Sequence, residues 1–240
     1  FAKQSQEKSG KHIFGAIVPH HLFASFIIAD IFAKIAQQDT QTLILLAPNH
    51  QNIGNTPVLT SELAWETPHG KILPDAAMIG SLIQKDYISV DENILDNEHA
   101  LGSLLPFIAY NNDAIRIVPL ILRQNITKEQ LQDLSKSIAN IIDDKTIVVA
   151  SVDFSHYLNS DEAEKNDEKT LQVMERRDYS TLLQMNSDYL DSPEAITVLL
   201  QVMEQLGAKS FEVLHHTNSG KLMDDLQSQA TSYFGAIFTK

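Results

Sequence analysis

Three of the nine histidines each follow an apolar run that reads as a β-strand. His20 comes after Ile13-Phe14-Gly15-Ala16-Ile17-Val18 and Pro19. His50 comes after Leu43-Ile44-Leu45-Leu46-Ala47, Pro48 and Asn49. His156 comes after Ile147-Val148-Val149-Ala150-Ser151-Val152, Asp153, Phe154 and Ser155. Imidazole binds metals in its neutral form and moves protons near neutral pH, so three converging imidazoles suit a metal ion or acid–base chemistry. One such histidine means little, because a half-buried histidine bonded to loop carbonyls is common. The shared placement is the signal. Asp153, three residues before His156, can orient an imidazole and select its tautomer, or else cap a turn. Ser151, Asp153 and His156 crowd one short turn, whereas catalytic triads draw on separate segments. The pair Glu98-His99 either lines the same cleft or anchors a helix start. The candidate catalytic residues are therefore His156, Asp153 and His99. His12 and His69 are expected at the surface. One of His215 and His216 is expected near the same edge, since strand alternation lets only one point at it.

For the three histidines to meet, their strands must be parallel neighbours whose C-terminal ends share one edge, where open α/β sheets build ligand sites. Pro19 and Pro48 stop their strands and fix where each histidine projects. The rest of the chain supplies the needed alternation. A buried helix is expected from Phe23 to about Gln38, and strand two covers roughly 42–47. Residues 54–74 hold five Gly and Pro residues and Trp65, and read as short strands with a hairpin. A helix follows from Asp75 to Gln84 and a short strand from Tyr87 to Val90. Glu98 to Tyr110 reads as a helix that Pro106 kinks or ends. Ile115 to Leu122 is a nearly continuous apolar strand, as expected where both faces are buried. Thr127 to Ile142 is a helix with Thr127 as N-cap and Gln130 in the capping-box position. After the strand at 146–152 come a polar helix near 160–184, a helix from Ser192 to Leu206 with Pro193 in its first turn and Gly207 past its end, and strands near 211–215 and 232–239. This alternation predicts an α/β fold: a single domain, residues 12–240, with a mainly parallel central sheet flanked by helices, behind a flexible lead-in at 1–11.

Composition narrows the chemistry. The chain has 240 residues, 43% of them hydrophobic, enough for a substantial core. A formal charge of −13 argues against nucleic acid and anionic membrane surfaces, which call for clustered Lys and Arg. There is no cysteine, so disulfides, Fe–S clusters and thiolate zinc sites are excluded, and a metal must be held by His, Asp, Glu or backbone oxygen. No apolar stretch approaches the roughly 20 residues of a membrane span. Neither a phosphate-binding loop nor a Gly-x-Gly-x-x-Gly run is present, which argues against a nucleotide cofactor. The chain starts at Phe1 rather than Met, so an upstream segment is expected to have been removed; a signal peptide, an anchor and an artificial boundary all remain open, and the domain itself is expected to be soluble.

Six segments in order resemble the Memo-like proteins, also called AmmeMemoRadiSam system protein B in bacteria and archaea. They are Ala16–His20, Leu45–His50, Trp65-Glu66-Thr67-Pro68-His69-Gly70, Glu98-His99-Ala100-Leu101 with Leu105-Pro106-Phe107, Ile117-Val118-Pro119, and Ser151–His156. The ending, Asn218-Ser219-Gly220 then Ser232-Tyr233-Phe234-Gly235-Ala236, is similar too, so the resemblance runs from about 13 to 238. It implies a fold similar to that of class III extradiol dioxygenases, which are non-haem iron enzymes. It also implies a cleft with three histidines and a cysteine, with metal binding and copper-linked redox activity. The histidines carried over are His20, His50 and His156.

The cysteine is where this chain departs. Matching Ile196-Thr197-Val198-Leu199-Leu200 to the family's helix puts Asp191 at the cysteine position, with Asp188 and Glu194 as alternatives if the register slips. A carboxylate there replaces a soft ligand with a hard one. His20, His50 and Asp191 then make the two-His-one-carboxylate set that suits Fe(II) with open positions, with Cu or Zn also compatible. His156 serves as a fourth metal ligand or as the acid/base. The competing role for Asp191 is N-cap of the following helix. The expected function is a metal-dependent, dioxygenase-like oxidoreductase. The alternatives are a non-catalytic module that binds a small molecule or peptide in the cleft, and a metal-dependent hydrolase.

Overall fold

The protein's structure, a computed structural model, describes residues 11–112 and 114–240. Apart from Lys11, the lead-in expected at 1–11 lies outside the described residues. The elements run β1 (Ile13–Val18), α1 (Ser25–Ile35), β2 (Thr42–Pro48), β3 (Val58–Thr60), β4 (Trp65–Thr67), β5 (Gly70–Pro74), α2 (Ala76–Leu82), β6 (Ile88–Val90), α3 (Glu92–Asp96), α4 (His99–Gly102), α5 (Leu105–Asn111) and β7 (Arg116–Leu122). They continue with α6 (Lys128–Ile141), β8 (Thr146–Ser151), β9 (His156–Leu158), α7 (Ser160–Glu175), α8 (Tyr179–Leu182), α9 (Pro193–Leu206), β10 (Ser210–Asn218), α10 (Ser219–Leu222) and β11 (Ala230–Thr239).

One sheet spans the molecule in the order β10-β11-β1-β8-β2-β7-β3-β6. Its centre is parallel: Ala16 stands beside Val149, Val149 beside Leu45, and Leu45 beside Pro119. β11 runs antiparallel to β1 and β10, and β3 antiparallel to β7. Between their ends the central strands are almost wholly apolar, because both of their faces are covered. Period-two alternation splits them between two layers. Ile17, Ile44, Leu46, Val118, Leu120, Val148 and Ala150 face α2, α6, α8 and α9, while Ala16, Val18, Leu43, Leu45, Ala47, Ile117 and Val149 face α1, α4 and α5.

Local chemistry places the helices much as the sequence predicts. Asp75 caps α2, and Thr127 with Gln130 forms the capping box of α6. Gly207, at φ +72°, ends α9 in the left-handed conformation that glycine adopts without penalty. Two segments differ. The stretch 98–110 is two short helices, and Pro106 sits in the first turn of α5, where its missing N–H is not needed. The polar helix expected near 160–184 breaks after Glu175 into α7 and α8, with Arg177 left-handed at φ +55°. Among the described residues, no helix is long and apolar enough to cross a membrane.

Candidate metal centre

Because β1, β8 and β2 are parallel neighbours, the loops that leave their C-terminal ends lie side by side. His20, Asp153 with His156, and His50 emerge there. His20, His50, Asp153 and His156 line one cleft of about 440 Å³, together with His21, Leu22, His99, Ser103, Tyr157 and Thr231. Asp191 joins from the segment that enters α9, which is stitched to the loop after β8. The Asp191 N–H donates to the Asp153 carbonyl at 3.1 Å, and the Asp153 N–H donates to Asp191 Oδ2 at 3.3 Å.

The imidazoles of His20 and His50 are held from behind. The His50 Nδ1 lies 2.7 Å from Glu98 Oε1, and the His50 N–H donates to Glu98 Oε2 at 3.0 Å. Burial opposes ionisation of Glu98, but the hydrogen bonds from His50 and from the Ala100 N–H outweigh it and hold the carboxyl below its ordinary range. An ionised Glu98 only accepts, so Nδ1 of His50 carries a proton and Nε2 is the ring nitrogen left to bind a metal. That Nε2 faces Asp191 Oδ2 at 3.8 Å. His20 is buried. Its Nδ1 is 3.3 Å from the Ser151 Oγ, which spends its own hydrogen on the Ala100 carbonyl at 2.6 Å and so accepts from Nδ1. The His20 Nε2 then faces Asp191 Oδ2 at 3.2 Å and Asp153 Oδ2 at 3.6 Å.

Two inward Nε2 lone pairs beside carboxylates need something positive between them. A proton supplies it on His20. Burial pushes the imidazolium down, but Asp153, Asp191 and Glu98 outweigh burial and raise its pKa to about 9. A metal cation fits the same place, and a second atom supports that fit: Asp191 Oδ1 is buried with no hydrogen-bond partner. A buried carboxylate oxygen left unpaired is costly unless a ligand completes it. Among the described residues, two groups have potential ligand atoms that lie within 4.8 Å of one another inside the group: His20, His50 and His99, and His20, Asp153 and Asp191. His20 belongs to both.

His99 is the most open member. Its ring stacks on His50 at 4.2 Å between centroids, and burial together with the neighbouring His50 and His20 lowers its pKa, so it stands neutral. His156 lines the cleft but joins neither close group; its Nδ1 is buried without a partner. Of the three acids considered for the cysteine position, Asp191 is the one that reaches His20 and His50. Asp188 pairs with Asn186, and Glu194 is buried in the first turn of α9, where burial and then Asp191 push its carboxyl up to about 7. The N-cap of α9 is Ser192, whose Oγ accepts from the Ala195 N–H at 3.2 Å, so capping is not the work of Asp191. The expectation for His215 and His216 does not hold. Neither lines the cleft, because each is tied to a helix on its own side of the sheet: His215 to Asp30 of α1 and His216 to Asp167 of α7, both at 2.7 Å. Sequence reasoning missed the grip of Glu98 on His50, 48 residues away, and that of Ser151 on His20. The nearest available signal was the position of Glu98 beside His99.

The family model described as Memo-like protein matches residues 1–237. A MEMO1 family protein of Methanopyrus kandleri is 27% identical over 238 residues, covering 94% of this chain and 83% of that protein. One from Aquifex aeolicus is 28% identical, covering 92% and 84%, and one from Methanosarcina barkeri is 29% identical, covering 91% and 84%. Among solved structures, an uncharacterized protein from Escherichia coli K12 superposes with a TM-score of 0.56 at 14% identity, covering 92% of this chain and 99% of that one, a likeness of fold.

Proposed function

Because the chain belongs to the Memo-like protein family, we propose that it binds a divalent metal through His20, His50 and Asp191 and acts as a metal-dependent oxidoreductase. Fe(II) is preferred over Zn(II) or copper. One observation carries this reading: the inward Nε2 atoms of His20 and His50 converge on Asp191, whose other oxygen is buried and unpaired. Two imidazoles and one carboxylate are the donor set of non-haem Fe(II) sites that keep open positions. When bound, such an ion supplies redox chemistry and a place for substrate and O₂. The chain's own residues do the rest. Glu98 and Ser151 fix the two ring tautomers. Asp153 accepts the His20 backbone N–H at 3.0 Å and holds that loop against the site. His156, on the cleft wall, takes or gives a proton to a bound small molecule or peptide end. The cleft volume of about 440 Å³ is within the usual size for such ligands.

A second reading rests on His99. With His20 and His50 it makes a three-imidazole group, the donor set of zinc sites that activate water, and it would make the protein a hydrolase. His99→Ala separates the two. The oxidoreductase reading expects the variant to keep its metal and its O₂ consumption; the hydrolase reading expects Zn(II) affinity to collapse. Anaerobic calorimetric titration with Fe(II), Zn(II) and Cu(I), followed by O₂-electrode assays of the loaded protein, makes the comparison.

A further inference from the structure

Tyr157 holds a backbone conformation that its own side chain disfavours. Its φ is +63°, in the left-handed region. Three other non-glycine residues among those described have positive φ, and each has an ordinary reason. Asn52 and Asp224 are of types that tolerate it, and Arg177 closes α7. Tyr157 sits inside β9. There His156 faces Thr231 and Leu158 faces Ala230, so β9 carries one more residue than β11 and Tyr157 is the extra one of a β-bulge. Left-handed bulge positions are normally glycine.

Packing does not repay the conformation. Tyr157 is 66% exposed, and its hydroxyl has no hydrogen bond among the described residues. Its ring contact is with His156, 5.7 Å between centroids at 45°. The bulge instead controls direction. Along a regular strand, neighbours point to opposite faces. Here His156 and Tyr157 both line the cleft, with Thr231 beside them. Strained residues of this kind gather at ligand sites, where the strain is part of the function.

We infer that Tyr157 determines access to His156: its ring, set at the cleft mouth beside His156 by the bulge, screens the imidazole, so that a ligand must be slim enough to pass the ring or must displace it. This rests on the reading of the cleft as the ligand site, but its test needs no metal. Diethyl pyrocarbonate, which acylates neutral imidazole nitrogens, is applied to chelator-treated protein, and each histidine is followed by peptide mass spectrometry. Tyr157→Gly removes both ring and strain. His156 should be acylated at least fivefold faster in this variant while exposed His69 keeps its rate, and the urea midpoint should not fall. Tyr157→Ala keeps the strain and deletes the ring, and should expose His156 equally; Tyr157→Phe should match the parent. A rise of less than fivefold at His156 in both the Gly and Ala variants, or a lowered urea midpoint for Tyr157→Gly, overturns the inference. A failed metal titration leaves it standing, and its own failure leaves metal binding standing.

Discussion

Raising the pH above neutrality should cost the metal-free protein stability through His20. His20 has a folded pKa of about 9 against 6.5 for the free group. The native state therefore binds the His20 proton more tightly than the unfolded chain does. That contribution is fully present below pH 6.5 and is lost as pH rises through 9. At about 1.4 kcal/mol per pH unit, the gap comes to about 3 kcal/mol. By pH 8.5 about 2.5 kcal/mol of it is gone. His20 is buried, so solvent screening takes little from the figure. With a urea m-value of about 3 kcal/mol/M, the parent midpoint falls by about 0.8 M more than that of His20→Gln between pH 6 and pH 8.5. The assay is urea unfolding of chelator-treated protein across that range, with His20→Gln alongside. Groups common to both proteins cancel in the difference. The parent should lose stability relative to the variant as pH rises. Parallel profiles would mean that the Asp153 and Asp191 carboxylates do not hold a proton on His20, and the electrostatic picture of the site would fall with them.

Glu98→Gln keeps the shape but removes the charge that fixes the His50 tautomer; metal affinity should drop by about 10- to 100-fold, read by calorimetric titration. The Glu194 carboxyl is raised to about 7, so its folded form binds the proton more tightly than the free group, and up to about 3 kcal/mol of stability is lost between pH 4.5 and 7. The parent should lose stability relative to Glu194→Gln as pH rises across that range in urea unfolding. Ser192→Ala should cost about 1 kcal/mol by loss of the α9 cap and leave metal affinity unchanged, because capping and ligation belong to adjacent residues.

Much of the fold was legible because its signals are local. The apolar runs of β1, β2, β7 and β8 mark strands buried on both faces, and the Thr127–Gln130 box and Gly207 mark helix ends within a few residues. Pro106 signalled the interruption within 98–110, which falls just before it; the break within 160–184 was not legible, because local polarity and helix propensity do not report where a chain must turn to follow the sheet. The site divides the same way. His20 and His50 were found from their place after strands, which parallel pairing converts into proximity. Glu98, Ser151 and the bulge at Tyr157 act across tens of residues, and nothing in their immediate sequence announces the partner. The β10 histidines show the opposite error: their strand position resembles that of the cleft histidines, but an aspartate on each flanking helix claims them.

The most direct test is the metal stoichiometry of Asp191→Asn against the parent, both prepared without chelator and titrated anaerobically with Fe(II) and Zn(II). Asparagine can keep the hydrogen bond from the Asp153 N–H but supplies no charge. The parent should bind one ion per chain and release close to one proton from His20 at pH 8. The variant, folded by circular dichroism, should bind neither metal at the same concentrations. Equal stoichiometry and affinity in the two proteins would show that Asp191 is not a ligand and would contradict the proposed centre.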